Sequence, residues 1–461
     1  MCGIIGISHH PEASKLAYLG LYALQHRGEE AAGIATYDGK NMHIIKDRGL
    51  VFDVFSEAEL ESLKGNVAIA HTRYSTTGSS NKKNCQPFLV THRSRGVAVA
   101  HNGNLTNTEE LYRKLEDEGS IFQTSMDSEV IIHLLAKTPN TDYKQWFVNV
   151  LSQLKGSYSA VFMVQDTLVG ARDPYGNRPL VLGKLGDGYI LASESCALDL
   201  TKAEFVREIE PGEIVIIKGS KIESVYHPDH GKVKKAHCIF ENIYFSRPDS
   251  HIFDDNVYLV RKRLGAQLAK EAPIKNADVV MPIPDSGVYA ALGYAQEAGL
   301  PYEVGMVRNH YIGRTFIQPT QFLRDFRVRV KLNPIAEVIR GKRIILVEDS
   351  IVRGTTSRSR VREVRKAGAK EIHLCITCPP IVHPCFYGID FPSEEELVAY
   401  GKTVQEVADF IEVDTLTYLS LEGMLSVMKN RGDFCDACFT GRYPIAIPNN
   451  KSKYLLEGVS R

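Results

Sequence analysis

The apolar pattern of this chain changes period once, close to residue 225, and that change limits what the chain can fold into. Before it, short alternating segments dominate: Val67 to Ala70, Val97 to Ala100, Ser159 to Val164, Tyr189 to Ala192 and Ile214 to Ile217. They read as strands, with Pro211-Gly212 and Gly186-Asp187-Gly188 as turns, while Ser14 to Leu24 and Asp127 to Leu135 have helical spacing. The polar stretch from Tyr226-His227-Pro228 to Lys235 reads as a linker. Beyond it, helix-like Val257 to Ala272, Val288 to Ala298 and Ser357 to Ala367 alternate with strand-like Ala277 to Ile283, Arg343 to Val347 and Glu371 to Thr377. That alternation builds a parallel sheet with crossover helices. A chain of 461 residues also exceeds one ordinary core of about 100 to 200 residues. Two domains are predicted, 2–225 and 236–461.

The first domain opens with Met1-Cys2-Gly3-Ile4-Ile5-Gly6. Cys2 is a small residue of the kind after which an initiator methionine is normally removed, and the expected mature chain begins with a thiol and an α-amine on one residue. An α-amine with a reference pKa of about 8 is partly free base near neutral pH and can take a proton. The thiol, at about 8.5, is already a few per cent thiolate. Nucleophile and general base then belong to the same residue.

Gln25-His26-Arg27-Gly28, His71-Thr72-Arg73-Tyr74-Ser75-Thr76-Thr77-Gly78, His101-Asn102-Gly103-Asn104-Leu105 and Asp127-Ser128-Glu129 follow in the order and spacing of the class II glutamine amidotransferases, which this half resembles. The resemblance implies an N-terminal nucleophile hydrolase sandwich of αββα layers, an α+β fold. Glutamine is zwitterionic at its α-carbon; Arg73 is implied as the partner of its carboxylate and Asp127 of its ammonium. Attack by Cys2 on the amide makes an oxyanion, for which the resemblance implies the Asn102 amide and the Gly103 N–H as donors. Taken singly, each has a plainer use: a surface arginine, an Asn-Gly turn, a helix cap. His71 and His101 lie in apolar strand-like runs and read as packed structural histidines.

In the second half, Ile344-Ile345-Leu346-Val347-Glu348-Asp349-Ser350-Ile351-Val352-Arg353-Gly354-Thr355-Thr356 runs from a buried strand through two acids and a turn into a helix. A helix N-terminus with free N–H groups and hydroxyls cradles phosphate, while carboxylates at the strand end reach ribose hydroxyls or magnesium. The string resembles the phosphoribosyl pyrophosphate (PRPP) loop of type I phosphoribosyltransferases, an α/β fold, and more narrowly that of the amidophosphoribosyltransferase family. The resemblance implies PRPP contacts from Glu348, Asp349, Ser350, Arg353, Gly354, Thr355 and Thr356. Glu348 stands where that family usually has aspartate. Pro282-Ile283-Pro284-Asp285-Ser286-Gly287 resembles the family's pyrophosphate loop, with Asp285 and Ser286 as contacts. Magnesium, a hard cation, is expected on Ser286, Glu348 and Asp349. Residues 306–321 resemble the loop that closes over PRPP, with Arg314 a contact and Arg308 and His310 where lysine and arginine are commoner.

Nine cysteines in a chain expected to be reduced are too few for a disulfide scaffold. Spacing alone offers Cys375-x-x-Cys378 and Cys435-x-x-Cys438 as a four-thiolate zinc site. Within a strand, however, side chains three apart point to opposite faces, which suits Cys375 and Cys378 as buried free thiols. The family resemblance instead selects Cys238, Cys385, Cys435 and Cys438, which match the [4Fe-4S] ligands of its iron-sulfur branch.

Lys plus Arg and Asp plus Glu both number 55, so no global field recruits nucleic acid or an anionic membrane. No apolar run approaches the ~18 residues of a membrane span, and a cytoplasmic location is expected. The resemblance covers nearly the whole chain. It implies release of ammonia from glutamine, transfer to PRPP to give 5-phosphoribosylamine, feedback by purine nucleotides, and a homodimer or homotetramer. A glucosamine-6-phosphate synthase shares the first half but not the string Val347 to Thr356. A silent PRPP-sensing regulator has no use for Cys2, Arg73 and Asp127.

Overall fold

Strand Gly3–Ser8 is buried at every residue because it lies at the centre of a seven-stranded antiparallel sheet covered on both faces. Ile5 and Ile7 pack with Ala17 and Leu21 of helix Ala13–Ala23, while Ile4 packs with Ala98, Val161 and Met163 of a second sheet. The neighbouring strand Val67–Arg73 divides in the same way, Ala68 and Ala70 toward the helix and Val67 and Ile69 toward the other sheet. The second sheet has six antiparallel strands, including Arg95–Leu105 and Gly156–Val164. Its outer face, with Val97, Val99 and Phe162, carries Val130, Ile131, Trp146 and Phe147 of helices Asp127–Lys137 and Tyr143–Leu151. These are the αββα layers. Each fully buried aliphatic side chain contributes roughly 1.5–3 kcal/mol, so a period-2 pattern apolar on both faces drives two sheets together.

The computed structural model describes residues 1–75, 81–92, 95–139, 142–309 and 332–447. Thr76, Thr77, Gly78, His310 and Arg314, with most of the predicted closing loop, lie outside the described residues.

Past residue 236 the architecture becomes a four-stranded parallel sheet whose strands stand side by side in chain order: Val279–Pro282, Arg343–Glu348, Glu371–Ile376 and Thr415–Tyr418. Helices Val257–Glu271, Val288–Ala298, Thr355–Lys366 and Val404–Ile411 pack around it. Asn256 starts the first of these, its side chain accepting from the Leu259 N–H at 3.2 Å. The 227–235 stretch is turn-rich and folds back on the first domain, with His230 Nδ1 2.7 Å from the Pro211 carbonyl. No helix among the described residues is long and apolar enough to cross a membrane.

Candidate active sites

The register Gly3↔Thr72 puts Cys2 beside Arg73 at one end of the first sheet. Asn102 and Gly103 approach from strand Arg95–Leu105 of the second. The Cys2 backbone nitrogen lies 3.2 Å from Asn102 Oδ1, which orients the amide. Asn102 Nδ2 is then turned the other way, buried, and makes no hydrogen bond among the described residues. An unused buried donor is costly in a folded protein. Beside the Cys2 thiol it is a donor left open to an incoming acceptor. Gly103 has no room for a side chain, since a Cβ there would stand 2.0 Å from the Ser157 carbonyl oxygen.

Asp127 is buried and fixed, Oδ2 accepting from the Leu105 N–H at 3.0 Å and Oδ1 from Ser128 Oγ at 3.2 Å. Burial pushes the Cys2 thiol up, against the pull of the nearby chain-terminal amine and Arg73. That amine, on Met1, is lowered to about 5 by burial, helped by Arg27 and Arg178. His71 is pushed down to about 3 by burial and by Arg73 and His101, so it is neutral. His101 Nδ1 lies 3.0 Å from Ser128 Oγ.

Sequence reasoning gave no role to a set of wholly buried charges beneath this site. Arg27 donates from Nε to the Cys2 carbonyl at 2.9 Å and from its terminal nitrogens to Glu194 and Glu241, and Glu241 also meets Arg178 at 3.4 Å. Removing one member of such a network costs about 3–5 kcal/mol, because it strands a charge. The only signal was the motif Gln25 to Gly28, since charged residues usually stay exposed.

In the second domain, parallel pairing with Pro282↔Val347 in register sets the two predicted PRPP loops side by side at the carboxyl ends of their strands, where α/β sheets bind ligands. Asp349 accepts from Ser350 Oγ at 2.6 Å and from Ser286 Oγ of the other loop, so residues 63 apart in sequence share one carboxylate. Asp285 is paired with Arg308. Gly354 takes φ +72° and turns the chain into helix Thr355–Lys366, leaving Thr355 and Thr356 exposed at its start. Arg353 is exposed and paired with Glu396 at 3.0 Å. The Glu348 carboxylate lies against the helix, where it accepts from Ser357 Oγ at 2.9 Å and Arg360 Nη1 at 2.5 Å. Burial raises it to about 7 in spite of Arg360.

Cys238, Cys385, Cys435 and Cys438 line one cavity. Cys238 faces Cys435 across a two-residue parallel bridge, and the Val382 and His383 N–H groups both donate to the Cys438 carbonyl at 3.1 Å. Burial raises the Cys238 thiol to about 11 and also pushes Cys435 and Cys438 well up. Cys375 and Cys378 are fully buried and do not line the cavity. Among the described residues no three His, Cys, Asp or Glu side chains are grouped to hold a single metal ion.

The fold and the two sites define a bifunctional enzyme, an N-terminal nucleophile glutaminase joined to a type I phosphoribosyltransferase. Residues 71–200 match the glutamine amidotransferase domain and 252–412 the phosphoribosyl transferase domain. The chain is 49% identical to the amidophosphoribosyltransferase of Synechocystis sp. over 100% of this chain and 94% of that one. To the Methanocaldococcus jannaschii amidophosphoribosyltransferase it is 50% identical, over 97% and 98%. The solved glutamine PRPP amidotransferase of B. subtilis, complexed with ADP and GMP, superposes with a TM-score of 0.92 at 46% identity, covering 98% of this chain and 99% of that one. The chain belongs to the amidophosphoribosyltransferase family, whose reaction, the first step of purine biosynthesis, moves the amide nitrogen of glutamine to PRPP.

Proposed function

We propose that this chain makes 5-phosphoribosylamine by dividing the reaction between Cys2 and the loops around Asp349. Once Met1 is removed, the Cys2 α-amine takes the thiol proton and sulfur attacks the side-chain carbonyl carbon of glutamine. Arg73 holds the substrate carboxylate and Asp127 its ammonium. The Asn102 amide and Gly103 N–H receive the oxyanion. Collapse expels ammonia, which carries the proton away, and water hydrolyses the thioester to glutamate. Ammonia passes inside the protein, because in bulk water near pH 7 it would protonate and lose its nucleophilic lone pair. At the second site it attacks C1 of PRPP, the C1–O bond breaks, and pyrophosphate leaves. Asp285, Ser286, Ser350, Arg353, Gly354, Thr355 and Thr356 surround the phosphates and ribose, with Arg314 a further PRPP contact. Ser286 and Asp349 fit magnesium, whose charge would offset that of pyrophosphate; Glu348 supports them from the helix.

The unused Asn102 donor carries the first half of this reading. Glutaminase activity should be present and stimulated by PRPP. Asn102→Ala should lower kcat for glutamine by about 10²–10³-fold while ammonia-dependent synthesis is kept. Full glutaminase activity in that variant would remove Asn102 from the mechanism.

The cavity's four thiols fit a [4Fe-4S] cluster, a structural tie between residues 238, 385 and 435–438. Ligation displaces thiol protons and adds its binding energy to folding. Anaerobically purified protein should be brown, with about four irons and four sulfides per chain. Serine at Cys238, Cys385, Cys435 or Cys438 should destroy the colour and destabilise the chain, whereas serine at Cys375 or Cys378 should leave it. One zinc per chain, lost in the latter variants, would reverse this assignment. The reading extends to a cytoplasmic homo-oligomer, dimer or tetramer, inhibited by purine nucleotides; the B. subtilis relative holding ADP and GMP supports that regulation.

A further inference from the structure

The phosphoribosyltransferase half reaches the glutaminase site at two buried points. We propose that it holds that site in its reactive geometry through Glu241, which positions Arg27 and Cys2, and through Phe386 to Gly388, which position the oxyanion strand. The inference rests on the roles given above to Cys2 and Asn102.

Glu241 opens the turn Glu241–Phe245 and is fully buried. Its two carboxylate oxygens accept from Arg27 Nη2 at 2.8 Å and Nη1 at 3.0 Å, the two-pronged geometry that a planar guanidinium matches. Arg27 is then aimed, and its Nε holds the Cys2 carbonyl. Ser250 Oγ and the Arg247 N–H, also from the second domain, donate to Glu194 Oε2 at 2.7 and 2.8 Å, fixing the other acid on Arg27. The backbone of the nucleophile is therefore oriented by carboxylates that the second domain supplies or fixes.

The other contact is made by the strand that carries Asn102 and Gly103. Asn104 Nδ2 donates to the Phe386 carbonyl at 2.9 Å, and Arg178 Nε donates to that of Tyr387 at 3.0 Å. Gly388, at φ +106°, lies so close that a Cβ on it would be 3.3 Å from Gly103 Cα. Gly103 is therefore held closely by the Ser157 carbonyl and by the Gly388 backbone. Both contacts hang from segments that carry cavity cysteines, Cys238 before Glu241 and Cys385 before Phe386. A displacement of either segment moves the nucleophile or the oxyanion donor.

The test uses Glu241→Gln and Asn104→Ala in the full chain. For each, kcat and KM for glutamine, ammonia-dependent synthesis, and the rate at which a glutamine-mimicking chloroketone alkylates Cys2 are measured. Misplacing reacting groups by about 1 Å costs on the order of 100-fold. Both variants should therefore lose kcat for glutamine by about 10- to 100-fold and alkylate more slowly, with KM for glutamine and ammonia-dependent synthesis unchanged. Unchanged kcat and alkylation in both variants would overturn the proposal, and so would parallel loss of both activities in both, which marks a contact needed only for folding. If Glu241→Gln alone loses ammonia-dependent synthesis, Asn104→Ala decides by the same kcat criterion. A fault in the site reading itself would show separately, as full glutaminase activity in Asn102→Ala.

Discussion

Cys2→Ala is expected to abolish glutamine-dependent synthesis and leave ammonia-dependent synthesis at high pH intact. The sulfur is the only atom proposed to bond to the substrate carbonyl carbon, and neither the amine nor the oxyanion donors can replace it. Loss in acyl transfer after removal of the nucleophile is about 10⁶-fold in a protease with comparable parts, which places residual turnover at background. The surroundings should tolerate the change: alanine is smaller, among the described residues the thiol makes only a long contact of 3.6 Å to the Tyr74 carbonyl, and the Arg27 contact is to the backbone. The second site lies on a different sheet and takes ammonia from solution once enough is unprotonated. Steady-state rates with each nitrogen source check this. Loss of both activities in a folded variant would mean the two chemistries do not occupy separate sites.

The second large effect has the opposite pattern. Asp349→Ala should lower synthesis from glutamine and from ammonia alike, by about 100-fold or more, the scale at which preorganised charge contacts to a reacting group are lost. It should also remove the stimulation of glutaminase by PRPP, while unstimulated glutaminase remains. Among the described residues Asp349 is the carboxylate that joins the two loops, through Ser286. Glu348 is engaged elsewhere, by Ser357 and Arg360. Unchanged ammonia-dependent turnover would show that the loop had been misassigned.

What could be read from the sequence was whatever chemistry fits within a short stretch. The string from Ile344 to Thr356 holds a strand, two acids, a turn and a helix start within thirteen residues, and the backbone rules for those pieces are local. The same holds for Cys2 behind Met1, for Asn102-Gly103, and for the change of period near residue 225 that separates sandwich from parallel sheet. Cys375 and Cys378 were legible as buried thiols because the alternation of a strand is itself local.

Tertiary structure alone decided what depends on groups far apart in sequence. Arg27 and Glu241 are separated by 214 positions, and no periodicity foretells that both are fully buried, since charge patterning argues for solvent unless a partner is known. The direction of the Asn102 amide was set by the Cys2 nitrogen 100 positions away. The contact of Glu348 with Arg360 on the following helix is a side-chain packing result invisible in the motif. Local sequence fixes backbone preference and which chemical groups are present. Which of them share a buried, low-dielectric space is fixed only when the sheets close, because that is when desolvation makes each partner necessary.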